Sequence, residues 1–218
     1  MRITLPSGTP AEIDLSVANP VMGLVIMPDI FGMRPLFDDL VAQLAREWNM
    51  AVIAIEPFPN QTLSADIAER MACVPLLSDD AVLRDMHEAA DALGVARVGL
   101  MGFCMGGMYC FKSARSDRFK KIISFYGMIT VPDGWKSATQ GEPLEFLKNG
   151  NKDRVLAIIG GKDHYTPPAD VAELIRLNVK TEIYPEAEHA FAHDASRPAH
   201  RAQDAANAYE KTYNWLIS

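Results

Sequence analysis

The sequence has no apolar segment long enough to cross a lipid bilayer. Its longest apolar run, Pro20–Pro28, is interrupted by Gly23, and it is far shorter than the ~20 residues of a spanning helix. It fits a buried strand instead. The first residues, Met1–Ser7, also lack the charged and then apolar layout of a secretory signal peptide. We therefore expect a cytoplasmic protein without a membrane partner.

Cysteine is scarce. The three cysteines are Cys73, Cys104 and Cys110, and no two of them form a C-x-x-C pair. An odd and sparse set of this kind is typical of reduced thiols in the cytoplasm rather than of a disulfide framework.

Runs of basic residues are also missing. The 21 Lys and Arg residues are scattered, and the 28 Asp and Glu residues bring the net charge to −7. Nucleic-acid binding needs a basic patch, so the composition argues against that class of partner. The chain has no internal repeat or low-complexity linker, and residues 1–218 are interpreted as one domain.

The sequence does contain a regular alternation of short apolar runs with amphipathic stretches. The runs are typical of strands buried on both faces, and they are Val21–Met27, Ala51–Ile55, Val98–Met101, Lys121–Phe125, Val155–Ile159 and Thr181–Tyr184. The stretches predict helices, at Pro35–Trp48, Asp79–Leu93, Met105–Ser113, Pro168–Leu177 and Ala202–Leu216. Ile3–Leu5 and Glu12–Leu15 predict a hairpin at the sheet edge. The fold class is therefore α/β, with a mostly parallel central sheet of about eight strands and helices on both faces.

Two irregular regions follow predicted strands. Pro57–Ser64 contains two prolines, and Thr130–Gly150 mixes prolines and glycines. Loops at the carboxyl ends of parallel strands commonly hold the substrate in α/β folds, so we expect both regions near the site.

A sharp turn joins the strand that ends at Met101 to the next predicted helix. Its sequence, Gly102-Phe103-Cys104-Met105-Gly106-Gly107, is the nucleophile-elbow pattern with cysteine in place of serine. The glycines let strand and helix approach closely, and the helix N-terminus favours a thiolate. The Met105 N–H could donate to an oxyanion. The alternative is a buried, inert structural cysteine. A Walker A loop is excluded because no Gly-Lys-Ser/Thr follows.

Two later strand ends supply a candidate acid and a candidate base, in the chain order that this elbow requires. Asp163 follows Val155–Ile159 in a glycine-rich turn, and His189 lies in the loop after Thr181–Tyr184. Such an Asp can orient the imidazole while the other nitrogen faces Cys104. Taken singly, Asp163 could cap a helix and His189 could be a solvated side chain. The order of the three elements favours a Cys-His-Asp triad.

The other histidines are weaker candidates. His164 follows the acid and is expected to point away, and His87 and His200 lie in helix-like stretches that suggest surface positions. His193 could line the pocket. The His189-x-x-x-His193 spacing lacks the Glu and the third ligand of a zinc site. We expect neither a metal nor a cofactor.

The chain resembles the dienelactone hydrolase family over nearly its whole length. The resemblance rests on Met27-Pro28-Asp29-Ile30-Phe31-Gly32, on the turn around Cys104, on Gly161-Lys162-Asp163 and on His189-Ala190-Phe191. It implies the α/β-hydrolase fold, with Cys104 as nucleophile, His189 as base and Asp163 as the orienting acid. It also implies an oxyanion hole formed by the backbone N–H groups of Ile30 and Met105. The pocket is expected to contain Asp29, Phe31, Phe103, Phe191 and His193.

Several positions depart from the family pattern. In the best-known members a Glu contacts the resting thiol, and here that position is Asp29, one methylene shorter. Asp29 could hold Cys104 protonated or act with His189, or it could only anchor its loop. The position of an Arg that binds the substrate carboxylate corresponds to His193, and Arg70 is a candidate stand-in for a second Arg. Ala190 stands where Gly or Ser is common.

These patterns predict an enzyme that hydrolyses a small ester or lactone through a thioester acyl-enzyme. Activated esters and lactones are favoured over peptides, and the local signatures of cysteine peptidases are missing. The alternative is a non-catalytic or redox-sensing binding module that uses Cys104 as a reactive thiol. We expect a monomer or a small homo-oligomer.

Overall fold

The computed structural model describes residues 1–218 and contains a single eight-stranded sheet. Its strands in chain order are β1 Arg2–Thr4, β2 Pro10–Asp14, β3 Gly23–Met27, β4 Ala51–Ile55, β5 Val98–Phe103, β6 Lys121–Phe125, β7 Val155–Gly160 and β8 Lys180–Tyr184. Their spatial order is β1-β2-β4-β3-β5-β6-β7-β8. β1 and β2 form an antiparallel hairpin and β2 is antiparallel to β4, whereas β3 to β8 are mutually parallel. The predicted mostly parallel sheet is confirmed.

Seven α-helices accompany the sheet: α1 Pro35–Trp48, α2 Ile67–Cys73, α3 Asp79–Ala92, α4 Met105–Lys112, α5 Pro143–Lys148, α6 Pro168–Arg176 and α7 Ala202–Ile217. The helices cover both faces of the sheet, as two glycines of β5 show. A Cβ at Gly99 would meet Leu216 of α7, whereas one at Gly102 would meet Gly106 of α4. Residues an odd number apart on a strand face opposite ways. No helix is both long enough and apolar enough to span a bilayer.

The structure differs from the sequence prediction mainly in short or marginal elements. α2 and α5 were not predicted, because they are only seven and six residues long and lie in or beside proline-rich and glycine-rich segments. β8 was expected to be buried on both faces, but only Tyr184 of its five residues is buried. β8 pairs with β7 alone and forms the sheet edge, which explains this exposure.

The parallel strands end along one edge of the sheet. Met27 at the end of β3 pairs with Gly102, Phe103 pairs with Phe125, and Gly160 pairs with Tyr184. The loops that follow these strands therefore converge at that edge, where α/β sheets place their ligand sites.

Candidate active site

The turn from β5 into α4 holds Cys104 in a strained backbone conformation. Cys104 has φ 56° and ψ −117°, outside the usual regions for a side chain with a Cβ. The close packing of the flanking glycines maintains it. A Cβ at Gly106 would lie 2.1 Å from the Met27 carbonyl oxygen, and one at Gly102 would lie 2.4 Å from the Gly106 carbonyl oxygen. Only glycine permits this contact between strand and helix.

The loops after β7 and β8 bring the predicted acid and base together. His189 Nδ1 lies 2.7 Å from Asp163 Oδ2, in hydrogen-bonding distance. The Tyr165 N–H donates to Asp163 Oδ1 at 2.8 Å, so the buried carboxylate is held on both oxygens. His189 Nε2 is buried and has no hydrogen-bond partner. The imidazole is thus oriented at one nitrogen and free at the other.

The surroundings of His189 favour its charged form. Burial by itself disfavours the imidazolium, but the adjacent Cys104 and the hydrogen-bonded Asp163 carboxylate outweigh burial and raise the pKa of His189 to about 10.

A cavity of about 250 Å³ opens above Cys104. Both Cys104 and His189 line it, and most of its wall is apolar. Its lining residues are Asp29, Ile30, Phe31, Ile67, Met71, Cys104, Met128, Trp135, Tyr165, His189, Ala190, His193 and Arg197. A cavity of this volume suits a small ligand rather than a folded chain.

Of the two predicted oxyanion donors, Ile30 lines this cavity and Met105 directly follows Cys104, which also lines it. The Ile30 N–H, in the loop after β3, donates to no protein acceptor. Met105 is the first residue of α4, where no helical carbonyl precedes the N–H group. Both amides therefore remain able to donate to a ligand oxygen.

Asp29 is enclosed by hydrogen-bond donors. Its oxygens lie 2.7 and 2.9 Å from the two terminal nitrogens of Arg34, and Oδ1 also accepts the Phe31 N–H at 3.0 Å. Oδ2 lies 2.8 Å from His193 Nε2. Burial opposes ionisation, but the hydrogen bonds of His193 and Arg34 prevail and hold the pKa of Asp29 well below its usual range. These contacts match the anchoring role that the sequence left open for Asp29.

His193 is buried, and both of its ring nitrogens are used inside the protein. Because Asp29 is ionised, Nε2–H donates to it and Nδ1 accepts from the Tyr126 hydroxyl at 2.6 Å. The ring also stacks on Phe103 at a centroid distance of 4.8 Å. His193 borders the cavity, but it has no nitrogen left for a substrate carboxylate.

Only one of the three aromatic residues predicted for the pocket lines the cavity. Phe31 lines the cavity, as expected. Phe103 and Phe191 do not, and both are fully buried. Phe103 faces the core against Phe125, and Phe191 packs between Tyr126 and Tyr184. The placement of these two residues in the pocket was wrong, because adjacency in sequence to a site residue does not determine which way a side chain points.

The structure also changes which arginine is a candidate for binding a substrate carboxylate. Arg70 donates to three backbone carbonyl oxygens, those of Leu63, Ser64 and Ile30. Arg197, which the sequence interpretation missed, lines the cavity and forms neither an ion pair nor a side-chain hydrogen bond. Its signal was its place in the same loop, four residues after His193.

One of the two regions that were expected to hold the substrate contributes to the cavity wall, whereas no residue of Pro57–Ser64 lines it. Trp135 lies in the region Thr130–Gly150, and Ile67 and Met71 belong to α2, just after Pro57–Ser64. Ala190 adopts a left-handed φ of 62°, which favours the glycine that is common there. His164 is exposed, and no group of three potential ligand side chains is arranged for a metal ion.

Comparison with known proteins gives matches along nearly the whole chain. The family model described as "Dienelactone hydrolase family" matches residues 11–218. A Bradyrhizobium protein described as a probable 2-oxo-3-(5-oxofuran-2-ylidene)propanoate lactonase is 28% identical over 230 residues, covering 96% of this chain and 91% of its own. A Methylorubrum extorquens protein assigned as a carboxymethylenebutenolidase is 29% identical, and the alignment covers 91% of this chain and 72% of that protein.

A solved structure extends the similarity to the fold. The crystal structure of a Klebsiella pneumoniae protein, assigned as a dienelactone hydrolase, superposes with a TM-score of 0.88. Its sequence is 24% identical, and the alignment covers 100% of this chain and 98% of that one. At this identity the likeness establishes the shared α/β fold.

Proposed function

This chain belongs to the dienelactone hydrolase family, and we propose that it hydrolyses small carboxylic esters or lactones through a Cys104–His189–Asp163 triad. The family membership confirms the resemblance expected from the sequence and, with it, an enzyme of the lactone and ester hydrolase class. The observation that best supports the triad is the 2.7 Å contact between His189 Nδ1 and Asp163 Oδ2, with His189 and Cys104 on the wall of one cavity.

The first half of the proposed reaction forms a thioester. The reaction starts from the thiolate–imidazolium pair that forms when the Cys104 proton passes to His189 Nε2, and the thiolate sulfur attacks the ester carbonyl carbon. The N–H groups of Ile30 and Met105 stabilise the resulting oxyanion, each contributing on the order of 3–4 kcal/mol. When the intermediate collapses, the C–O bond breaks and the His189 imidazolium protonates the leaving alkoxide. In a lactone, this alcohol stays attached to the acyl group.

The second half of the reaction returns the enzyme to its starting state. His189 takes a proton from water, and the hydroxide attacks the thioester carbonyl. The C–S bond then breaks, which leaves the thiolate beside the His189 imidazolium, and the carboxylic acid product releases its proton to solvent as it departs. Asp163 holds the imidazole in the required orientation throughout, without itself accepting the proton.

The cavity supports a small substrate that has an anionic group away from the reacting carbonyl. Arg197 is the cation on the cavity wall without an ion pair, and it lies beside Phe31 with 5.8 Å between the guanidinium carbon and the ring centroid. The Bradyrhizobium relative is described as acting on a propanoate lactone, which is a carboxylate of this kind. We propose that Arg197, rather than His193, binds such a carboxylate.

Cysteine usage supports a cytoplasmic location for this reaction, since all three thiols are free. The redox-sensing alternative uses the same Cys104 but predicts no turnover. A single set of assays separates the two, because both predict a reactive thiol and only one predicts ester hydrolysis.

The test replaces Cys104 and measures hydrolysis of p-nitrophenyl acetate and of a small unsaturated lactone. We expect Cys104→Ala to lower kcat at least ~10³-fold, as loss of a triad nucleophile does. Cys110→Ala is the matched control, because this thiol lies on the helix that Cys104 precedes and burial raises its pKa well above the usual value. Full activity in Cys104→Ala would exclude the proposal. A wild-type protein that is alkylated at Cys104 but hydrolyses no ester would favour the redox sensor.

A further inference from the structure

We infer that Arg70 is a positioning residue for the oxyanion hole, because it links the Ile30 loop to the helix that borders the substrate cavity. This inference rests on the proposed function, in which the Ile30 N–H stabilises the oxyanion. Arg70 belongs to α2, which has Ile67 and Met71 on the cavity wall. Its side chain reaches across to the loop after β3.

The peptide unit between Ile30 and Phe31 is held at both of its polar ends. Its carbonyl oxygen accepts from Arg70 Nη1 at 3.1 Å. Its N–H donates to Asp29 Oδ1 at 3.0 Å. A planar peptide held at both ends cannot rotate without breaking one of these bonds.

The preceding peptide unit carries the Ile30 N–H and is held at its other end. The Asp29 carbonyl oxygen of that unit accepts from the Gly32 N–H at 3.0 Å. In a trans peptide the N–H points opposite to the carbonyl, so this bond directs the Ile30 N–H away from the turn. Arg70 and Asp29 hold the peptide on one side of the Ile30 α-carbon, and Gly32 holds the peptide on the other.

The remaining hydrogen bonds of Arg70 are also to backbone carbonyls. Nε lies 2.6 Å from the Ser64 oxygen, and Nη2 lies 3.0 Å from the Leu63 oxygen. No carboxylate pairs with this guanidinium. The guanidinium therefore joins the segment before α2 to the loop that contains Ile30. Lysine, with a single ammonium group, cannot make all three of these hydrogen bonds in the same geometry.

Loss of Arg70 should affect one kind of reaction at Cys104 and spare another. Ester hydrolysis develops negative charge on the carbonyl oxygen and depends on the orientation of the Ile30 N–H. Alkylation of Cys104 by iodoacetamide displaces iodide at a saturated carbon and forms no oxyanion. A residue with only a general structural role would change both rates together.

The experiment compares Arg70→Met and Arg70→Lys with the wild-type enzyme. For Arg70→Met we expect kcat on p-nitrophenyl acetate to fall roughly 10- to 100-fold, because a small displacement of a donor has effects of this size. KM should change less than about threefold, and the alkylation rate of Cys104 should stay within about twofold of wild type. Arg70→Lys should recover part of kcat, since an ammonium can still donate to one carbonyl.

Glu69→Gln is the matched control. The Glu69 carboxylate accepts from the Ser64 N–H and hydroxyl, so this change loosens the same segment without touching Ile30. We expect its kcat to stay within about twofold of wild type. A similar kcat loss in Glu69→Gln, or parallel losses of hydrolysis and alkylation in Arg70→Met, would overturn the inference in favour of a general effect on folding.

The Cys104→Ala enzyme separates this inference from the proposed function. If Cys104→Ala is inactive and Arg70→Met retains full kcat, only the role of Arg70 is wrong. If Cys104→Ala remains active, the proposed function itself fails.

Discussion

Two of the three arginines next to Phe31, Arg70 and Arg197, have different surroundings and, we propose, different tasks. The guanidinium carbons of Arg70 and Arg197 lie 5.9 and 5.8 Å from the ring centroid. Arg70 donates to three backbone carbonyls, whereas Arg197 has no hydrogen-bond partner for its side chain. A guanidinium already surrounded by acceptors stabilises the protein, and an unpaired one on a cavity wall can bind a ligand.

Replacement of Arg197 tests this difference. We expect Arg197→Gln to raise KM about tenfold or more for an ester with a distal carboxylate, because a charge-assisted hydrogen bond is lost. KM for p-nitrophenyl acetate, which is neutral, should be unchanged. Steady-state kinetics on both esters measure the effect.

Arg176→Gln is the matched control for this prediction, since Arg176 is an exposed residue of α6 that pairs with Glu173. It should leave both KM values unchanged. Equal KM changes for the neutral and anionic esters in Arg197→Gln would contradict carboxylate binding.

At the scale of elements, the position of Cys104 depends on the contact between β3 and the start of α4. The Cβ that Gly106 lacks would overlap the Met27 carbonyl, which is fixed in the centre of the sheet. The helix could make room only by moving away from the strand. Such a shift would also move Cys104 and the Met105 N–H.

We therefore expect Gly106→Ala to destabilise the protein by about 1–3 kcal/mol or more, the usual range for overpacking. Activity should fall further than stability alone explains, because Cys104, the proposed nucleophile, is displaced. Urea unfolding and kcat measured on the same samples give both effects. Gly134→Ala is the control, because its added Cβ would meet no atom within 4 Å. A Gly106→Ala enzyme with normal kcat would show that the turn tolerates a wider spacing.

A buried polar cluster positions another part of the cavity wall. Lys112 of α4 is fully buried, and its Nζ lies 2.6 Å from Asp79 Oδ1 and 2.7 Å from Gln140 Oε1. This cluster joins α4 and α3 to the segment Thr130–Gly150, which contains Trp135. The helix that follows Cys104 thus also anchors the segment that contains Trp135.

At the scale of the whole molecule, buried ionisable groups link stability to pH. Burial lowers the pKa of His193 more than the nearby carboxylate of Asp29 raises it. The unfolded chain binds a proton at this residue below its ordinary pKa of ~6.5, while the folded protein resists it. Because the unfolded state then holds more protons, stability falls as the pH drops from about 6.5 towards the lowered value.

We expect the free energy of unfolding to fall between pH 7 and pH 5, with a slope from His193 of at most ~1.4 kcal/mol per pH unit. In His193→Gln this share of the slope should vanish, although the variant is less stable overall because Asp29 loses a partner. Urea unfolding at several pH values measures the slope. His164→Gln, a change at an exposed histidine, should keep the wild-type slope. An unchanged slope in His193→Gln would contradict a neutral buried His193.

Local sequence patterns determined the sheet, the main helices and the order of the proposed triad. Apolar runs and helical spacing depend on neighbouring residues, so the bounds of β4, β6 and α1 could be read directly. The turn around Cys104 was equally readable, because its glycines form a recognisable local pattern, and Gly102 is required by a contact with Gly106 in the same short segment.

Only the tertiary structure decided which side chains reach the cavity and which are occupied elsewhere. The Phe103 side chain is buried in the core. His193 is hydrogen-bonded at both ring nitrogens to residues remote in the chain, Asp29 and Tyr126. Arg70 is bound to the carbonyl of Ile30, forty residues away, while Arg197 is left unpaired. Hydrogen bonds of this kind join residues remote in the chain, and their geometry exists only once the sheet has brought the loops together.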